Sequence, residues 1–264
     1  MSSPVPLELA DAALAYGPRT VWSGLDLVVG RGEFLTVLGP NGSGKTSLLR
    51  AVLGTQPLSA GTLHVLGRPP RRGGRTVGYV PQQRLVDPVT PVRARDLVRM
   101  GIDGDRWGVG GRRHRARVDE LLAAVGATAY ADVPLGLLSG GEQQRVRIAQ
   151  ALGSDPALLL CDEPLLSLDL ARQEEVVGLI DATRRRTGTA VVFVTHEINP
   201  VLPVTDRVLY LAPAGHAVGT PDEVLTTEHL SALYGTRVDV LRAQGRVVIV
   251  GGDEHAHHLE EEVA

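Results

Sequence analysis

The chain has one cysteine, one lysine, little net charge and no long apolar run. Each shortage excludes something. A single thiol, Cys161, builds neither an internal disulfide framework nor a multi-cysteine zinc site. No stretch reaches the roughly 18 apolar residues of a membrane span. The N-terminal region lacks the layout of a signal peptide. A secreted or membrane-spanning chain is therefore not expected. A formal charge of −3 argues against a nucleic-acid footprint spread over the surface. What is present is 264 residues, 43% of them hydrophobic, enough for one large domain with a buried core.

The lysine shortage is the informative one. Of 27 basic residues, Lys45 alone is lysine. A coding bias accounts for the arginines but not for the exception. Lysine offers a compact point charge on a thin stem, arginine a broad planar fork. The neighbours of Lys45 say what site prefers the first. Glu33 to Leu38 is a short apolar run fit for a buried parallel strand. Gly39-Pro40-Asn41-Gly42-Ser43-Gly44-Lys45-Thr46-Ser47 follows, and Leu48 to Leu53 continues as a helix. Strand, G-x-x-x-x-G-K-[ST] loop and helix make a P-loop in its required context. The glycines let backbone N–H groups converge on phosphate oxygens, and the helix N-terminus adds positive potential. Lys45 is expected to reach the β- and γ-phosphates, and Thr46 to offer its hydroxyl to Mg²⁺. The plain alternative is a glycine-rich turn before a helix.

A second glycine motif reads Leu138-Ser139-Gly140-Gly141-Glu142-Gln143-Gln144. As structure, Ser139 and Glu142 form a capping box. That leaves the paired glycines unexplained, because glycine in a first turn costs about 1 kcal/mol against alanine. A close backbone approach to an anion would explain them. Next, Ala157 to Cys161 is a buried strand ending in Asp162-Glu163-Pro164. Ligands bind at the C-terminal edge of open α/β sheets. Asp162 suits Mg²⁺ and Glu163 suits polarising a water; the alternative is a turn with solvated acids. Cys161 is expected to be a core residue. Another apolar strand, Thr189 to Thr195, ends at His196, which is expected to contact the γ-phosphate or the water.

In this order the motifs resemble the nucleotide-binding subunits of ABC transporters, over nearly the whole chain. Gly39 to Ser47 looks like Walker A and Leu158 to Glu163 like Walker B with its catalytic glutamate. Leu138 to Gln143 resembles the signature loop, the most specific motif present. Tyr16 is similar to the adenine-stacking aromatic. Gln82 resembles the Q-loop glutamine, with Gln83 beside it as an ambiguity. Ser167-Leu168-Asp169 looks like the D-loop and His196 like the switch histidine. The resemblance implies ATP and Mg²⁺ as cofactors, the metal held by Thr46, Gln82 and Asp162. It implies a head-to-tail homodimer in which Ser139, Gly140, Gly141 and Glu142 meet the nucleotide held by the other copy. It also implies integral membrane permease subunits, an extracytoplasmic binding protein and a place on the inner face of the membrane.

The implied fold is α/β, a P-loop NTPase with a RecA-like core, an antiparallel β-subdomain and an inserted helical subdomain. Residues 1–87 are expected to hold the β-subdomain and the first part of the core. The helical subdomain is expected over 88–155 and the rest of the core over 156–235. Patterns for helices lie at Val92–Met100, His114–Val125, Glu142–Leu152 and Asp169–Thr187, and for early strands at Val5–Leu9 and Leu25–Val29. Gly101–Gly111 reads as a loop by composition. Arg184-Arg185-Arg186 before Gly188 reads as a helix end rather than a binding patch. Arg237–Leu241 and Arg246–Val250 read as a hairpin within 236–252. Residues 253–264 read as an acidic, histidine-rich, disordered tail, with weak metal binding as the alternative.

Thr195 to Pro203, with its distinctive Ile198-Asn199-Pro200, resembles the ATPases of zinc, manganese or iron importers, as do Gly219-Thr220-Pro221 and Leu230 to Gly235. The alternatives are an importer of haem, siderophore or amino acid, a soluble ABC ATPase, and an ABC-like protein without turnover.

Overall fold

Three short strands carry almost nothing but apolar residues, and all their residues are buried: Phe34–Leu38, Leu158–Asp162 and Ala190–Val194. Such runs need cover on both faces. The computed structural model, which describes residues 4–82, 87, 91–103, 114–166 and 168–251, shows how they get it. The chain opens with a long hairpin, β1 (Leu7–Tyr16) and β2 (Arg19–Val29). β3 (Phe34–Leu38) leads into α1 (Lys45–Val52), then β4 (Ala60–Val65) and β5 (Val77–Val80). Three helices follow: α2 (Ala94–Asp103), α3 (Arg115–Ala124) and α4 (Gly140–Ala151). Next come β6 (Leu158–Asp162), α5 (Leu170–Thr187) and β7 (Ala190–Val194). β8 (Arg207–Ala212), β9 (Gly215–Gly219), α6 (Pro221–Val224), α7 (Thr227–Tyr234), β10 (Asp239–Ala243) and β11 (Arg246–Val250) complete the described elements.

The central sheet has six strands in the order β5-β6-β7-β3-β8-β9, parallel except for β9. A separate antiparallel sheet, β2-β1-β4, packs over one face. Alternation along each central strand divides the core. Leu35, Val37, Leu158, Leu160 and Val192 join α1 and the antiparallel sheet. Phe34, Leu159, Cys161, Val191 and Phe193 join the helices of the other face. This is the expected α/β P-loop architecture, with α2–α4 as the inserted helical layer.

Several local expectations change. The first two strands extend beyond the expected limits to meet at the Tyr16–Arg19 turn, because irregularities in β1 re-phase its alternation. Gly101 is helical, near the end of α2, because α2 packs there against the end of α4. A Cβ on Gly101 would lie 2.0 Å from the Gln150 carbonyl oxygen. The rest of the expected 101–111 loop, like the 253–264 tail, falls mostly or wholly outside the described residues. β10 starts and ends two residues later than expected. The two-residue turn Gln244-Gly245, both at positive φ, lets Ala243 pair directly with Arg246.

The arginine run does end α5, with Gly188 as its left-handed cap. One arginine does more. Arg184 is buried and bonds Asp181, Asp206 and the carbonyls of Gly32 and Val204, its guanidinium 5.6 Å from the centre of the Phe34 ring. It pins α5 to the starts of β3 and β8.

Candidate nucleotide site

β6, β7 and β3 lie side by side and in register, so their C-terminal ends reach one edge together: Asp162 pairs with Val194, and Val194 with Val37. From that edge emerge the P-loop, the Asp162-Glu163 turn and Thr195-His196. The sheet alone therefore gathers residues more than 100 positions apart.

The P-loop is held by close packing. A Cβ on Gly39 would lie 2.0 Å from the Leu211 carbonyl oxygen, and one on Gly44 2.4 Å from Val21 Cγ1. Gly44 sits at φ 94°, at the start of α1, and no side chain caps that helix. By contrast α4, α5, α6 and α7 are capped by Ser139, Asp169, Thr220 and Thr226. The first-turn N–H groups of α1 thus keep their donor capacity for an anion. Ser43 Oγ is buried with no hydrogen-bond partner among the described residues. Lys45 is 6% exposed, and its ammonium donates to the carbonyls of Gly39 (2.6 Å) and Pro40 (2.9 Å). The charge is held over the loop rather than out in solvent.

A cleft of about 430 Å³ opens over this loop, lined by Asn41, Gly42, Gly44, Lys45, Thr46, Ser47, Tyr16, Arg19, Val21, Gln82 and Glu163. Tyr16 is half exposed at its mouth and donates to Ser47 Oγ at 3.0 Å. Gln82 reaches the cleft; Gln83 lies outside the described residues. Thr46 Oγ1 donates to Asp162 Oδ1 at 3.2 Å. Tyr79 OH donates to the other oxygen, Oδ2, at 3.3 Å. Burial raises the Asp162 carboxyl above its ordinary value, the two hydrogen bonds oppose that, and Glu163 adds repulsion. Tyr79 is pushed up to about 12, by burial first and by Asp162 second, and stays a donor. Cys161 is fully buried and burial raises its thiol, so it is a core residue and no nucleophile.

Glu163 departs from β-geometry, at φ 46°, while its N–H bonds the Val194 carbonyl at 3.0 Å. A non-glycine residue in that region is strained, and such strain concentrates at functional positions. The turn aims the carboxylate at the cleft. His196 Nδ1 stands 3.7 Å from Glu163 Oε2, and both line a smaller hollow of about 70 Å³ with Gln173 and Thr195.

The signature residues lie elsewhere. Ser139 and Glu142 form the capping box, with Glu142 Oε2 accepting from Ser139 N (2.8 Å) and Oγ (2.7 Å). Asp169 caps α5 and bonds Arg172 Nε at 3.0 Å. A Cβ on Gly141 would lie 3.0 Å from Arg172 Nη1. Arg172 thus bonds Asp169 and lies beside the signature glycine Gly141, and none of these residues lines the Lys45 cleft. Ser167 lies outside the described residues. Sequence reading did not single out Tyr79 or Arg172. Tyr79 faces Asp162 through the β5–β6 pairing, which no local pattern announces, and Arg172 is one arginine among many.

The family model described as ABC transporter matches residues 22–166. TroB of Treponema pallidum (strain Nichols), a zinc transport system ATP-binding protein, is 36% identical over 234 residues, covering 88% of each chain. ZnuC of Roseobacter denitrificans, a zinc import ATP-binding protein, is 38% identical over 225 residues, 85% of this chain and 82% of its own. A solved structure described as an ABC transporter of metal-chelate type, in an inward-facing conformation, matches with TM-score 0.78 and 27% identity, covering 93% of this chain and 96% of that one. With a P-loop, an acid-ended strand two places away in the same sheet and this likeness over most of its length, the chain belongs to the ABC transporter family, as an ATP-binding subunit of the ATPase type.

Proposed function

We propose that this chain is the ATP-hydrolysing subunit of a metal-ion importer, with zinc the favoured cargo, working through a separate membrane permease. The observation that carries the ATPase reading is the cleft that brings Lys45, Thr46, Gln82 and Glu163 together. Relatives named as zinc transport or zinc import proteins, 34–38% identical over most of this chain, support the cargo. Among the described residues no helix is long and apolar enough to cross a membrane, so the translocation path is assigned to partner subunits. The zinc names carried by the relatives favour zinc over haem, siderophore or amino-acid cargo.

In this reading Tyr16 stacks on the adenine. Gly39 to Ser47 wrap the phosphates with backbone N–H groups, and Lys45 exchanges its two carbonyl partners for phosphate oxygens. Thr46, Gln82 and Asp162 offer oxygen ligands suited to a hard cation, and the 3.2 Å approach of Thr46 to Asp162 supports one. Mg²⁺ bound there would neutralise charge on the phosphates. Glu163 orients the attacking water and takes up its proton, and His196 holds the γ-phosphate from the other side. Ser139, Gly140, Gly141 and Glu142, with Asp169, complete the site of a second copy. An extracytoplasmic binding protein delivers the metal to the permease.

Deletion of the gene tests the cargo. Growth is expected to fail under zinc chelation and to return with added zinc. Normal growth there, or rescue only by manganese, iron or haem, rejects zinc.

A further inference from the structure

The loop that carries His196 has a polar anchor that the ATPase reading leaves unused. After β7 the chain turns through Thr195, whose Oγ1 accepts from Glu197 N at 3.2 Å. Ile198 and Val201 are buried, while the His196 side chain is more than half exposed. Between them Asn199 points to the C-terminal hairpin. Its Nδ2 donates to the Val247 carbonyl at 2.9 Å, and its Oδ1 accepts from the Val247 N–H at 2.8 Å. The side-chain amide thus pairs with β11 as another strand would, satisfying both groups of one residue on an otherwise open edge. The asparagine amide carries its donor and its acceptor on separate atoms side by side, as a backbone peptide group does.

The hairpin itself is fixed at the other end. Val238 and Val247 are buried in the core. Ser231 Oγ bonds both main-chain groups of Val238, Thr227 Oγ1 accepts from Val240 N, and Arg242 reaches the Pro221 and Leu225 carbonyls and Asp222. β10 and β11 therefore join α6–α7 to the histidine loop, with Asn199 as the last link.

We propose that Asn199 is a positioning residue for ATP hydrolysis: through its two bonds to Val247, the C-terminal hairpin sets the place of His196 opposite Glu163. The inference rests on the role given to His196 above. A group three residues from the reacting centre acts by aim, and a displacement of about 1 Å there costs up to about a hundredfold in rate.

Four full-length proteins test it: the parent, Asn199→Ala, His196→Ala and the double variant, each assayed for steady-state turnover and for binding of a fluorescent ATP analogue. Asn199→Ala is expected to lower kcat about ten- to a hundredfold with KM and nucleotide affinity unchanged. In the His196→Ala background the same substitution is expected to cost nothing further. Hydrogen exchange at the Val247 amide is expected to quicken in Asn199→Ala. Parent-like kcat in Asn199→Ala beside an impaired His196→Ala overturns the positioning role and leaves the histidine role standing. An equal loss in both backgrounds also overturns it, since Asn199 would then act on something other than His196. Parent-like turnover in His196→Ala overturns both readings. Should Asn199→Ala fail to fold, Asn199→Asp keeps the acceptor for the Val247 N–H and loses the donor. A folded Asp variant with parent-like kcat overturns the proposal, and a kcat loss confined to the His196-containing background supports it.

Discussion

Lys45 was conspicuous in the composition, and its surroundings explain why. Its ammonium fits between two carbonyls less than 3 Å away, on a loop whose packing leaves no room for a Cβ at Gly39 or Gly44. A guanidinium is wider and planar. Lys45→Ala is expected to weaken ATP binding about tenfold to a hundredfold, the equivalent of a charge-assisted hydrogen bond of about 1.5–3 kcal/mol. Lys45→Arg is expected to fail nearly as badly, although it keeps the charge. Titration with a fluorescent nucleotide checks both, and unchanged affinity in Lys45→Ala removes the residue from the site. At this scale the site was readable wherever its chemistry sits in one contiguous motif, as at Gly39 to Ser47. It was unreadable where a partner arrives from a neighbouring strand or helix. Tyr79 on Asp162 and Arg172 beside Gly141 are of that kind.

Among the elements, α2 and α4 meet backbone to backbone. Gly101 and Gly153 make this possible: a Cβ on Gly153 would lie 2.8 Å from the Gly101 carbonyl carbon. Composition argues for a loop at Gly101, since glycine disfavours a helix by about 1 kcal/mol, and tertiary contact overrides it. Two glycine-to-alanine substitutions in helices are therefore expected to differ in sign. Gly178 lies in α5, where an added methyl group would meet nothing within 4 Å, so Gly178→Ala is expected to stabilise by about 0.5–1 kcal/mol. Gly101→Ala drives a methyl into main-chain atoms, an overpacking cost of about 1–3 kcal/mol that outweighs the propensity gain. Thermal unfolding is expected to show a higher Tm for the first and a lower one for the second. A rise in Tm for Gly101→Ala would mean that the two helices separate without cost. Three strands of the central sheet needed no such contact to be read. β3, β6 and β7 are buried throughout and almost wholly apolar, while the mixed burial of β9, intermediate at every position, carries no such mark.

At the scale of the whole molecule, the separation of the two glycine motifs is the decisive fact. Gly39 to Ser47 form the loop under the cleft, whereas Ser139 to Glu142 cap α4 on another face beside Asp169 and Arg172. One chain does not bring both to one phosphate. Exposed Leu137 and Leu170, 66% and 52% accessible, flank the signature loop and the start of α5. A second copy packed head to tail would cover them and place its Gly141 over the nucleotide held by Lys45. Glu163→Gln keeps the shape of the side chain and removes its capacity to accept a proton. That variant is expected to lose hydrolysis, retain ATP binding and elute as a dimer with ATP, where light scattering gives the mass. A monomer that hydrolyses ATP normally removes Glu163 from its role. Adding Gly141→Asp places a carboxylate where the γ-phosphate of the partner's nucleotide would lie. Its repulsion is expected to return the ATP-loaded Glu163→Gln protein to monomers without weakening nucleotide binding to the cleft. A dimer that survives this change would mean that the signature loop lies outside the interface, and that the two glycine motifs are joined by some other arrangement of the copies.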